Sequence, residues 1–347
     1  VIPSLRLATT PRRGVVLVNV GTPEAPTVPA VRAFLREFLG DPEVVDIPAP
    51  LRWLLLVLII LPFRAARSAH AYASVWTARG SPLLSNSRDQ ADALQARLPE
   101  AEVVLAMRYG RPSLAEAAAR LDQAGITDVT LVPMFPQDAE ATTGSSVAAF
   151  RALVPGARVV PAFHAAPGFV AAQAARVSEA VARVDADFVL FSYHGLPVRQ
   201  VQRVCKSVCR GAIGLSAPCG PINPATAGCY RAQCYETTAA LARASGVGAR
   251  CATSFQSRIK GTTWLSPFTD EAIARLARGG VRRLVVVCPS FVADCLETLE
   301  EIALRGAETF VAAGGERLEL VPAVNADPLF IDTLASLVRE RWEEPHP

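Results

Sequence analysis

Two apolar runs with the same ending constrain this 347-residue chain more than any other feature. Gly14-Val-Val-Leu-Val-Asn-Val-Gly-Thr-Pro23 and Phe188-Val-Leu-Phe-Ser-Tyr-His-Gly-Leu-Pro197 each read as a buried strand stopped by a Gly-x-Pro turn. In the second run His194 stands at the strand's carboxyl end. That edge of an open α/β sheet is where ligands bind. An imidazole there can move a proton near neutral pH or bind a metal. A histidine simply satisfied in a turn would look the same in the sequence.

A second landmark also recurs: Pro133-Met-Phe135 matches Pro289-Ser-Phe291. Around these points apolar runs alternate with stretches of helical spacing, which implies parallel sheets covered on both faces. The expectation is an α/β protein of two similar Rossmann-like domains, each a parallel β-sheet flanked by helices, facing each other across a cleft. The first spans 14–165 and the second 166–326, with a closing helix and tail over 327–347. The interval from Pro23 to Pro133 is longer than that from Pro197 to Pro289, although the second holds a cysteine-rich segment. The first half therefore carries the larger insertion, and the apolar region at about 46–66 is the candidate.

That region contains Trp53-Leu-Leu-Leu-Val-Leu-Ile-Ile-Leu-Pro-Phe63. It is well short of the ~20 apolar residues that span a bilayer. A buried core helix and an exposed lip that touches a membrane or a greasy ligand both fit it. A net charge of +3 without a dense Lys/Arg run excludes a nucleic-acid partner as the expectation. Val1 to Arg13 lacks the apolar core of a signal peptide. The reading is a cytoplasmic protein that can rest peripherally on the inner face of a membrane through the 51–64 lip.

Three further stretches carry chemistry. In Asp294-Cys-Leu-Glu-Thr-Leu-Glu-Glu301, helical spacing puts Asp294, Glu297 and Glu301 on one face. Such a face can bind cations or protons, or it can be an acidic first turn that favours the helix dipole. Trp264, beyond Gln256-Ser-Arg258, can stack on a flat ligand or pack in a core. Five of the eight cysteines fall in Cys205-x3-Cys209-x9-Cys219-x9-Cys229-x4-Cys234. With no secretion signal such a cluster argues for metal over disulfides, and zinc and an iron–sulfur cluster both suit it.

Taken together, these residues resemble the ferrochelatases, which insert iron into a porphyrin. The resemblance covers roughly 14–340. It rests on Leu17-Val-Asn-Val-Gly-Thr-Pro23, Phe34-Leu-Arg-Glu-Phe-Leu-Gly-Asp-Pro42, Ala106-Met-Arg-Tyr-Gly110, Thr142-Thr-Gly-Ser-Ser146, Ser192-Tyr-His-Gly-Leu-Pro197, Gln256-Ser-Arg258 with Trp264-Leu265, and Phe291-Val-Ala-Asp-Cys-Leu-Glu-Thr-Leu-Glu-Glu-Ile302. It implies a porphyrin cleft between the two domains, with His194 and Glu297 as the catalytic pair and as the groups that meet substrate Fe2+. It implies Trp264, Glu301, Asp294, Val20, Tyr109 and Ser145 on the substrate side, and the apolar region as a lip for the porphyrin. Which of His194 and Glu297 takes which role stays open.

The expected activity is that of a lyase inserting ferrous iron into protoporphyrin IX to form protohaem in haem biosynthesis. Coproporphyrin III as substrate, or a non-catalytic haem-binding redox sensor, are the alternatives. Porphyrin and ferrous iron are the partners, and the chain is a monomer or a homodimer. Two departures stand out. Cys295 replaces a histidine found beside the glutamate in some members, and 203–229 is largely an insertion. A subset of the family binds a [2Fe–2S] cluster. The insertion is expected to hold one through Cys205, Cys209, Cys219 and Cys229, with Cys234 in reserve.

Overall fold

The computed structural model describes residues 13–205, 219–258 and 263–345. Among them, eight strands form two sheets. The first contains β1 (Arg13–Thr22), β2 (Ala101–Gly110), β3 (Asp128–Pro133) and β4 (Arg158–Val159); the second contains β5 (Phe188–His194), β6 (Cys251–Gln256), β7 (Arg283–Val287) and β8 (Arg317–Leu320). The orders are β2-β1-β3-β4 and β6-β5-β7-β8, and every pairing is parallel. The two halves thus share one topology, and the landmark strands β1 and β5 are equivalent, as the repeated ending implied.

Strand alternation explains why the strands read as unbroken apolar runs. Val15 and Leu17 enter one core while Val16 and Val18 enter the core on the opposite face. In the second sheet Val285 and Val287 face one core and Leu284 and Val286 the other. Both faces of these strands are packed, so successive residues here are apolar in either direction.

The halves are joined by more than the connecting chain. The helix Pro167–Val184 places Phe169 and Ala172 in the first half's core and Ala174, Val177 and Ala180 in the second's. The last helix, Pro328–Glu343, returns to the first sheet, where Phe330 meets the rings of Phe163 and Phe169. Trp342 Nε1 donates to Thr130 Oγ1 at 3.1 Å. Gln90, fully buried, donates its amide to the carbonyl oxygens of Val292 and Asn325 at 2.7 and 3.1 Å. These bonds tie the helix Pro82–Arg97 of the first half to loops of the second, so the cleft walls are cross-braced.

The apolar insertion is not a buried core helix. Residues Ala49–Val75 form one 27-residue helix, interrupted by a π-turn at Leu56–Ile60. Pro62 lies just beyond that turn and cannot donate to the helix ladder, which accounts for the local widening. One face of the helix is buried through Leu56, Leu61 and Ala65, but much of its apolar surface points outward: Trp53 is 64% exposed and Phe63 76%. By length and composition alone this helix could cross a membrane. The eleven-residue apolar run therefore understated the element, because the helix continues on both sides of it.

Candidate active site

The carboxyl ends of β1 and β5 open onto a common cavity of about 970 Å³, counted to its mouth. Val20, His194, Trp264 and Glu297 all line it.

His194 is placed by its own backbone. Gly195 N–H donates to the carbonyl of Gln256 at 2.8 Å, continuing the β5–β6 ladder by one residue. A Cβ at position 195 would come within 2.7 Å of that oxygen, so the approach requires glycine. The ring nitrogen Nδ1 of His194 lies 2.7 Å from the carbonyl oxygen of Gly195. A carbonyl only accepts, so Nδ1 carries the proton, and the neutral ring keeps its lone pair on Nε2. Pro197 bridges to Trp264, and Leu265 N–H donates to Leu196 at 3.0 Å. This short pairing brings the tryptophan to the histidine loop.

Glu297 sits in a one-turn helix, Leu296–Thr298, that runs directly into a π-helix, Leu299–Gly306. Gln256 Nε2 donates to the Glu297 carbonyl at 2.9 Å, so a single buried glutamine touches the backbone of both candidate residues' loops. The thiol of buried Cys295 hydrogen-bonds the Glu297 side chain; burial first, then that carboxylate, drives the thiol pKa well up, keeping it neutral. Position 295 therefore supplies a proton donor to the glutamate instead of a second imidazole.

Glu301 lies behind Glu297. Ser257 N–H donates to its carboxylate at 2.9 Å, from a backbone with φ of 66°. Burial raises the pKa of Glu301; the Ser257 hydroxyl and His194 work against the rise, and Glu297 adds to it. Glu301 thus communicates electrostatically with both His194 and Glu297.

Asp294, Tyr109 and Ser145 are not on the cavity wall. The helix begins at Leu296, two residues later than its spacing suggested, so Asp294 precedes it. Its carboxylate accepts from Thr298 Oγ1 at 3.1 Å, Ala323 N–H at 3.1 Å and Asn325 Nδ2 at 2.8 Å. It pins a loop rather than extending an acidic face. Tyr109 and Ser145 are buried together around Asp41, whose Oδ2 accepts from Tyr109 Oη and Ser145 Oγ at 2.7 Å each and pairs with Arg108 at 2.6 Å. Burial alone would raise Asp41; the bonds from Ser145, Tyr109 and the Glu43 backbone, with the Arg108 charge, hold it below its usual value.

Of the cysteine segment, Cys209 lies outside the described residues. Cys205 and Cys229 are buried with their thiols in hydrogen-bond contact, and Cys219 interacts with both. Arg231 Nη1 donates to Cys219 Sγ at 2.7 Å. Burial, opposed by the Ala232 N–H and aided by Cys205, pushes Cys229 up to about 11. Cys234 follows in the helix Tyr230–Ala244, fully buried. Among the described residues no group of three or more His, Cys, Asp or Glu side chains is arranged to hold a metal ion. One of the four expected cluster ligands, Cys209, falls outside those residues.

The cavity has further walls that the sequence did not single out. Tyr230 and Gln137 line it, beside Ser290 of the second landmark. Gln137 Nε2 reaches Thr237 Oγ1 at 3.2 Å and the Pro289 carbonyl at 3.4 Å, spanning the two halves. Position after the first Pro-Met-Phe landmark was the available signal for Gln137; Tyr230 had only its place beside Cys229.

A family model for ferrochelatases matches residues 12–342. The ferrochelatase of Legionella pneumophila (strain Lens) is 41% identical over 340 residues, covering 95% of this chain and all of that protein. That of Opitutus terrae is 43% identical over 346 residues, covering 97% and 99%. Among solved structures, the sirohydrochlorin chelatase SirB of Bacillus subtilis subspecies spizizenii, in complex with cobalt, is 14% identical and covers 77% of this chain and 93% of its own, with a TM-score of 0.47. On the family match and the two full-length relatives, set beside the paired sheets and the cavity at their carboxyl ends, this chain belongs to the ferrochelatase family.

Proposed function

We propose that this ferrochelatase inserts ferrous iron into protoporphyrin IX in haem biosynthesis, with His194 and Glu297 as its catalytic pair. The observation that carries the reading is that both side chains line one cavity, with Glu301 electrically linked to both of them behind its wall. Iron insertion exchanges two pyrrole N–H protons for one dication. The site must accept those protons and present a ligand to iron. The Nε2 lone pair of His194 suits the ligand role, because its Nδ1 proton is engaged by Gly195. Glu297 suits the proton-acceptor role, with Glu301 next in line. Trp264 and Phe291 offer flat apolar surface to the macrocycle.

The choice of porphyrin rests on charge. The described lining residues include no Lys or Arg, and their side chains are mostly apolar. A substrate with two carboxylates and two vinyl groups suits such a wall better than one with four carboxylates. Glu297→Gln keeps the volume and removes the base. It should cut kcat about 10²–10⁴-fold, the usual share of general acid–base catalysis, while porphyrin still binds. Turnover at the wild-type rate would sink the proton-acceptor role.

The outward apolar face of Ala49–Val75 supports peripheral membrane contact through this helix, on a cytoplasmic protein. Flotation with phospholipid vesicles checks this. The double variant Trp53→Ser/Phe63→Ser should weaken binding about 10- to 100-fold, as expected from leaving two large side chains in water. Unchanged flotation would refute it.

The cysteine segment is proposed to hold a [2Fe–2S] cluster, with Cys205, Cys209, Cys219 and Cys229 as ligands. The donor chemistry fits: Cys205, Cys219 and Cys229 interact in largely apolar surroundings, and burial keeps the Cys219 and Cys229 thiols neutral until a cation draws off their protons. When bound, the cluster would supply a cross-link within the segment and a redox-active group. Anaerobically purified protein should show thiolate-to-iron absorption and two irons per chain. Cys219→Ser should lose both signals and Cys234→Ser keep them. Bound zinc without iron would overturn the assignment.

A further inference from the structure

The chain closes a circuit around His194. From the end of β5 it turns through Gly195 and Pro197 into the helix Val198–Val204, which ends at Cys205. The Cys205 thiol meets that of Cys229, the N-cap of the helix Tyr230–Ala244. The next residue, Tyr230, lines the cavity and donates its hydroxyl to the main-chain oxygen of His194 at 2.8 Å. The same hydroxyl lies 3.0 Å from Ser290 Oγ, at the end of β7, and also contacts Cys234.

The consequence lies in one peptide unit. The bond joining His194 to Gly195 has its carbonyl held by Tyr230 and its N–H held by Gln256. The imidazole is then locked onto the next carbonyl, that of Gly195. A shift of Tyr230 tilts this peptide and carries the ring with it. Cys229 sets where the helix bearing Tyr230 begins, and Cys205 is the far end of the helix that leaves the His194 turn.

We propose that Tyr230 is a positioning residue that transmits the state of the cysteine segment to His194. The proposal rests on the assignment of His194 to the chemistry, and not on which metal or bond the cysteines hold. Small misplacements at a reacting group can cost up to about 10²-fold in rate, so the coupling is large enough to measure.

The test compares wild type, Tyr230→Phe, Cys205→Ser, their double variant and His194→Ala. Iron insertion is assayed for kcat and KM, and 15N-labelled histidine is followed by NMR at one pH; four histidines keep that spectrum assignable. Tyr230→Phe should lower kcat about tenfold with KM for porphyrin within about twofold, the pattern of a lost transition-state alignment. Iron content and absorption should match wild type. The His194 resonance should move in both single variants. The double variant should be no slower than the worse single variant, because both lie on one path. Cys219→Ser, at a half-exposed position, replaces Cys205→Ser if the latter does not fold. Wild-type kcat in Tyr230→Phe, multiplied losses in the double variant, or a His194 resonance unmoved by the cysteine change would each overturn the proposal. Full turnover by His194→Ala would instead defeat the assignment on which it rests.

Discussion

The site depends on one buried glutamine. Gln256 accepts from Gly195 through its main-chain oxygen and donates through its side chain to the carbonyl of Glu297. Its Oε1 in turn accepts from Ser192 Oγ at 2.7 Å. Each such bond contributes only about 1 kcal/mol net, but an unpaired buried partner would cost more than the bond contributes. The separation of the two loops is therefore set by groups that cannot be left unsatisfied. The glycine at 195 belongs to the same constraint, since any side chain there would strike the Gln256 oxygen.

Around this bracket, the repeated topology does the coarse placement. Parallel strands deliver β1 and β5 to the same kind of edge, and the helix Pro167–Val184 shares its residues between both cores. Gln90 and Gln137 then fasten the walls to each other with side-chain bonds to main-chain oxygens. The cavity between them is apolar with few polar groups, which suits a flat, apolar ligand.

The sheets were legible because buried parallel strands leave an unmistakable trace: Val15 to Val18 and Leu284 to Val287 have no polar face to interrupt them. His194 was legible because a strand end followed by Gly-x-Pro marks its position in sequence. Asp294 was not, because spacing along an assumed helix cannot reveal that the helix starts at Leu296 and widens into a π-helix after Thr298. Tyr109 and Ser145 were expected at the substrate from resemblance alone. Their hydroxyls bond Asp41, a partner that only the folded chain brings near. Tyr230 escaped notice for the same reason: its acceptor is a main-chain oxygen 36 residues away, which has no side-chain signature. The apolar helix was read as two alternatives because exposure is a tertiary property.

The most direct test of the account is anaerobic iron insertion by the purified full chain, with protoporphyrin IX and coproporphyrin III compared at equal concentration. The account predicts conversion of protoporphyrin IX to its iron complex, with a clearly higher kcat/KM than for coproporphyrin III. A preference for coproporphyrin III would contradict the reading of the cavity wall. Tight porphyrin binding with no iron inserted into either would contradict the assignment of His194 and Glu297 to catalysis.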